Sequence, residues 1–365
     1  MTAVVGRSPV AAPAAAPPAL RARLTGRVLT PVTVTLAVVT VGCALVLVSG
    51  GQVPMVLQLV PFAVSVLVFG LPHGALDHLV PARLRSGTGV ARSVTVVVVL
   101  YLVVGAATAL LWTVSPLAGF AVFVGITWFH WGQGDLFVDR LLGDGADRPR
   151  GACLTVAVRG ALPMVLPFVA QPGAATAVVS GTIASIAGGG GGGAGPVGVP
   201  VPVRIVAGVV VLALVVLHLV AVRRGGGPVR RQASEDLVLV AFFVLVPPVL
   251  AVGLYFTLWH AVRHILRLEL TDPDAAAELE RGRLLAPFLR FARQAWPITA
   301  IAVAMLVALA VLVRHADLGV YLALIAALTT PHTVVVTWMD RVQRTWRPAA
   351  DAAISPTTRD ETRRP

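Results

Sequence analysis

Charge is the scarcest ingredient of this 365-residue chain: 13% of its residues are Asp, Glu, Lys or Arg, about half the soluble-protein norm of roughly 25%. Lysine is missing altogether, so all 29 basic residues are Arg. Cysteine occurs only as Cys43 and Cys153, both in apolar context, which excludes a disulfide framework and a thiolate metal site. With 57% apolar residues and a mean hydropathy of +0.85, the chain is not an ordinary soluble domain, a disordered chain or a nucleic-acid-binding domain. A net charge of +12 would suggest nucleic acid in a soluble protein. Here the Arg residues fall between apolar runs, as the positive-inside rule places them.

Long apolar runs are what the chain has instead. Val28 to Ser49 is too long for a signal-peptide core of roughly 7–15 residues, so it reads as a retained span. A span needs about 20 apolar residues. Runs at 53–72, 93–114, 117–138, 160–188, 202–222, 236–258, 297–314 and 317–338 meet or approach that. Val-rich stretches such as Val94 to Val99 would suggest strands in water, but in lipid only helices or closed barrels satisfy the backbone. The expected fold is therefore all-α, a polytopic transmembrane bundle of about eight to ten helices in the cell membrane. Residues 1–26 are expected as a disordered cytoplasmic tail, 27–340 as the transmembrane bundle and 341–365 as a second disordered tail. Gly188 to Gly195 reads as a flexible linker, and 269–284 as a short surface helix. Arg83, Arg85 and Arg92, with Arg140, Arg148 and Arg150, place two loops and the N-terminus on the cytoplasmic side. Reading 160–188 as two short helices broken near Pro172-Gly173 gives about ten helices with both termini inside.

Polar residues inside spans mark function by default, and four patches interrupt the apolar runs: Leu71-Pro72-His73-Gly74-Ala75-Leu76-Asp77-His78, Trp128-Phe129-His130-Trp131-Gly132-Gln133-Gly134-Asp135, Leu258-Trp259-His260-Ala261-Val262-Arg263-His264, and Thr330-Pro331-His332. His260 and His264 are four apart, so both rings lie on one helix face and can reach one metal ion. Two interfacial histidines would show the same spacing. His73 and Asp77 repeat it, whereas His78 points about 140° away from His73. Patches on separate helices argue for a common metal. No thiolate set and no HExxH occurs, and imidazole suits iron, copper, nickel or zinc. His218 and His315 adjoin Arg-bearing span ends and are set aside. The six remaining His are too few for a histidine-rich di-iron site, so one ion is the economical reading. Asp77 and Asp135 are open to three roles: ligands, acceptors for a ligand N–H, or partners of Arg263. The second is favoured, with His78, His332 and Arg263 as further residues around the ligands. Trp128, Phe129, Trp131, Phe256, Trp259 and Trp338 surround the patches; most such aromatics pack in the core or against lipid, and beside a metal they can also line a tunnel for an extended apolar substrate.

Taken together, these patches resemble the Brp/Blh family of membrane β-carotene 15,15′-dioxygenases, over about residues 53 to 340. The resemblance implies cleavage of β-carotene by O2 into two all-trans-retinals, the chromophore of microbial rhodopsins. It also implies non-haem Fe(II) held by His73, His130, His260 and His264. Two alternatives remain at this point: another metal-dependent lipid desaturase or hydroxylase, and a proton-coupled transporter using the same His and Asp as a relay.

Overall fold

The computed structural model describes residues 16–143, 149–186, 198–312 and 318–346. Over these residues the chain forms twelve helices and no strand. They are α1 (Pro18–Val48), α2 (Met55–Leu84), α3 (Val90–Val114), α4 (Pro116–Leu142), α5 (Pro149–Ala170) and α6 (Pro172–Ile186). Then come α7 (Val201–Arg224), α8 (Val229–Leu245), α9 (Pro248–Glu269), α10 (Pro273–Glu280), α11 (Leu285–Leu312) and α12 (Leu318–Val342). Eight of them are long and apolar enough to cross a membrane. The protein is thus a multi-pass membrane bundle. Its outer helices expose Val and Leu, such as Val34, Val38, Val206 and Leu212, which hydrocarbon tolerates and water would not. The helices most enclosed by protein are α5 and α9, with α5 packed between α4, α7 and α8.

Local signals explain the boundaries. Ser115 caps α4 by accepting from the Ala118 amide, Pro116 follows at the first helical position, and Gly143 ends the helix at φ 71°. Asp272 and Pro273 open α10 in the same way, the short surface helix expected in 269–284. Two glycines set the closest helix contact: a Cβ on Gly132 of α4 would lie 2.4 Å from the Val156 carbonyl oxygen, and one on Gly160 of α5 2.1 Å from that of Trp128.

The chain breaks at Gln171, between α5 and α6, close to the expected Pro172-Gly173 site. The segment before the break is a full-length helix rather than a short one, because α5 begins at Pro149. Such a break frees backbone carbonyls that lipid cannot satisfy. Arg204 of α7 donates to the Val169 carbonyl at 2.9 Å. The Gln171 amide donates to Val244 and Val246 at the end of α8.

The expected N-terminal tail differs from the structure. Residues 1–15 lie outside the described part, but α1 already begins at Pro18. Leu20 and Leu24 are buried against Phe137 and Leu141 of α4, and Arg21 donates to the Leu142 carbonyl. The three Arg residues hid this docking face in a sequence reading based on composition. Of the second expected tail, 341–346 is ordered: α12 runs to Val342, and the Trp346 indole donates to Asp340. Residues 347–365 and the Gly188–Gly195 tract lie outside the described residues, as does His315.

Candidate metal centre

Two helical irregularities aim histidines inward. In α2 a π-helical turn, Ser65–Gly70, precedes His73, and the helix breaks at Leu76 into a 3-10 turn, Asp77–Leu79. In α9 a second π-helical turn, Tyr255–Ala261, carries His260. Such turns are rare and concentrate at functional sites. The two helices nearly touch here: a Cβ on Gly70 would lie 2.8 Å from Phe256 Cε1.

The result is one cluster of five buried imidazoles from four helices: His73, His130, His260, His264 and His332. The ring of His332 lies 4.8 Å, centroid to centroid, from each of His73, His130 and His264. His130 and His260 face each other through Nε2 at 3.1 Å. One ligand atom from each of His73, His130 and His332 falls within 4.8 Å of the others, and the same holds for Asp77, His264 and His332.

The hydrogen bonds assign the free lone pairs. His73 Nδ1 lies 2.5 Å from the Gly70 carbonyl, and His332 Nδ1 2.7 Å from Asp77 Oδ2. With Nδ1 donating to these oxygens, the Nε2 of each neutral ring keeps its lone pair. His332 Nε2, His264 Nε2, His130 Nδ1, His260 Nδ1 and Asp77 Oδ1 are buried with no partner among the described residues. Burying polar atoms unpaired costs about 1–3 kcal/mol each. A cation shared by the rings would relieve that cost at His264 Nε2 and His332 Nε2, and imidazole nitrogens with a carboxylate beside them fit iron.

The other sequence candidates fall elsewhere. Asp135 touches none of the five rings by hydrogen bond: it accepts from the Trp259 indole at 2.9 Å and pairs with Arg263 at 3.0 Å. The Arg263 guanidinium in turn stacks on Trp259 at 3.6 Å. Asp135 and Arg263 are therefore an ion pair beside the cluster, one of the three roles left open. His78 bonds through Nδ1 to the Ala75 carbonyl and makes no ring contact with the cluster. His218 is buried and pairs with Asp236 at 3.0 Å. Tyr101, whose hydroxyl donates to Asp77 Oδ2 at 2.7 Å, carries no signal in the sequence. It lies on a separate helix, α3, in an apolar run with no motif around it.

A deep cavity opens against the cluster. His73, His130 and His332 line it, and the rest of its wall is mostly apolar, with Phe62, Phe120, Phe123, Phe168, Val252 and Leu322 drawn from five helices. Of the six aromatics around the patches, Trp131 and Phe256 line the cavity and the other four pack elsewhere. Trp128 instead ties α4 to α5 through the Ala157 carbonyl, Phe129 stacks on Trp346, Trp259 is held by Asp135, and Trp338 packs in a separate core.

Comparison with known proteins gives one consistent answer. The family model described as "Beta-carotene 15,15'-dioxygenase" matches residues 64–340. The chain is 41% identical over 312 residues to "Probable beta-carotene 15,15'-dioxygenase Blh" of Halobacterium salinarum, covering 82% of this chain and 89% of that protein. It is 29% identical over 328 residues to "Probable beta-carotene 15,15'-dioxygenase Brp" of the same organism, covering 82% and 88%. No solved structure matches significantly.

Proposed function

The chain belongs to the beta-carotene 15,15′-dioxygenase family, and on that premise we propose that it cleaves β-carotene at the central double bond with O2, giving two all-trans-retinals. The balance needs no further reductant. The two central carbons together lose four electrons, O2 takes them, and each oxygen atom ends in one aldehyde. The observation that carries this reading is a histidine cluster set in the wall of a deep apolar cavity within a membrane bundle.

Fe(II) is the metal this reading assigns, with His73, His130, His260 and His264 to hold it. When bound, it supplies the activation of O2 beside the polyene. The chain's own work is positioning and exclusion. The substrate dissolves in hydrocarbon, so little hydrophobic driving force separates bilayer from cavity, and the cavity must hold it by close van der Waals contact. Trp131 and Phe256 pack beside the His260 ring at 5.6 and 5.7 Å, with both side chains in the cavity wall. They are assigned the task of fixing which double bond stands at the cluster. The apolar wall keeps water from the cut ends. This reading assigns the protein to the cell membrane and its product to a rhodopsin as chromophore.

Expression in β-carotene-accumulating cells tests the reaction. The cells should lose their orange colour, with retinal the only aldehyde extracted, two per carotene consumed. Apocarotenals of unequal length would mean the register is not set here. Unchanged carotene, with iron loaded and O2 present, would refute the function.

A further inference from the structure

Among the five buried rings, His73 and His332 each give Nδ1 to an oxygen acceptor, and in His332 that acceptor is a carboxylate. We propose that His332 is itself a ligand of the cation held by the cluster, aimed by Asp77, which Tyr101 holds in turn. The proposal rests on the iron reading above and enlarges its ligand set.

Three independent observations support it. First, His332 has the hydrogen-bond pattern of a ligating imidazole. Its Nδ1–H is spent on a carboxylate at 2.7 Å, and its Nε2 is buried without a partner. A ligating His normally donates its outer N–H to such a group. His260, by contrast, has no partner on Nδ1. Second, His332 is central, since its ring is equidistant at 4.8 Å from three of the other four. It also belongs to both triads of donors close enough to share one ion. Third, it lines the cavity together with His73 and His130. An ion at this ring would stand where an apolar substrate can approach it.

Asp77 reaches His332 because α2 breaks at Leu76, and the following 3-10 turn carries the carboxylate toward α12. Its Oδ2 accepts from His332 and from the Tyr101 hydroxyl at 2.7 Å each. Two donors on one oxygen fix the carboxylate, and the carboxylate fixes the tautomer and tilt of the ring. Asp77 and Tyr101 are positioning residues in this arrangement, and His332 is the donor.

The test uses purified holoprotein and its Co(II)-substituted form, whose visible spectrum reports the number and kind of ligands. His332→Gly should release metal to a chelator at least tenfold faster and shift the Co(II) spectrum, and added imidazole should restore both. Rescue by a free ligand is a response that a merely structural side chain would not give. Asp77→Asn should keep the metal but weaken its retention by roughly 10–100-fold, and Tyr101→Phe should do so by less. His73→Ala and His130→Ala serve as reference variants. If they release metal while a folded His332→Gly retains it with the parent spectrum, His332 is no ligand and the iron reading stands. If neither reference variant releases metal, the iron reading fails, and this proposal with it.

Discussion

Two polar clusters are buried side by side in this bundle, and they are built on opposite principles. One is a network of Arg and carboxylates at the meeting of α4, α5, α7 and α8. In it Arg159 pairs with Glu235 at 3.0 Å and Asp236 at 3.3 Å, His218 with Asp236 at 3.0 Å, and Arg231 with Asp139 at 3.1 Å. The Gln232 side chain bridges Arg159 to Asp139. Here charge meets opposite charge inside the protein. The other cluster holds five imidazoles and one carboxylate, with four ring nitrogens left without partners. Nothing in the described chain completes it. Buried charges paired with opposite charges hold helices together, whereas ring nitrogens with no protein partner are available to a ligand. Both clusters contain a His beside an Asp, so residue type alone does not separate them.

The strongest test of this contrast removes donors from the unpaired cluster. His73→Ala, His130→Ala, His260→Ala and His264→Ala should each lose most bound iron and reduce retinal formation at least about 100-fold, while the protein stays folded by circular dichroism. Full activity in any of the four would break the ligand assignment. Arg159→Leu attacks the paired cluster and should do the reverse. It breaks the Arg159 pairs and leaves Glu235 with Arg231 at 3.4 Å and Asp236 with His218; breaking a buried pair typically costs about 3–5 kcal/mol. Thermal inactivation in detergent should occur at a markedly lower temperature, while iron per folded chain is unchanged. Iron loss in folded Arg159→Leu would show that the two clusters are one functional unit.

How much of this was legible in the sequence follows from what helix periodicity can and cannot transmit. The spans were legible because a bilayer imposes a length that composition reveals. The histidine patches were legible because ionisable residues in apolar runs stand out, and His260 with His264 share a face by spacing alone. Register between helices was not. Asp77 looked like the partner of His73 four residues before it, yet its partner is His332, 255 positions away. Asp135 looked like the same device repeated, yet it serves Trp259 and Arg263. The π-helical turns that rotate His73 and His260 inward leave no mark on a reading based on a 3.6-residue period. The docking of residues 18–24 on α4 was hidden for a different reason, since Ala, Pro and Arg are also the composition of a disordered tail.

Asp135→Asn places a smaller stress on the boundary between the clusters. Asn still accepts from the Trp259 indole but no longer neutralises Arg263, so a loss of about 1–3 kcal/mol is expected, read as a modest fall in thermal midpoint. Iron content should change by less than twofold, because no cluster ring hydrogen-bonds to this carboxylate. A loss of iron comparable to that of Asp77→Asn would return Asp135 to the role the sequence first suggested for it.

The smallest effect is expected at His78, and it sharpens the comparison most. His78 sits in the same patch as His73 and directly follows Asp77, so sequence proximity makes it a natural member of the cluster. The structure separates it at the break after Ala75. His73 closes the helix before the break, whereas His78 lies in the 3-10 turn after it, with its ring folded back onto the Ala75 carbonyl at 2.8 Å. Its backbone carbonyl, not its ring, is tied to α3, accepting from the Ser93 hydroxyl at 2.7 Å. A substitution keeps that backbone bond. His78→Ala should therefore change stability by no more than about 1 kcal/mol, the loss of one partly buried hydrogen bond. Iron per chain, the Co(II) spectrum and retinal yield should match the parent. Metal analysis of the purified variant decides it. Any loss of iron would mean that the turn after the break rearranges to bring His78 inward, and that the unpaired cluster extends beyond its five rings.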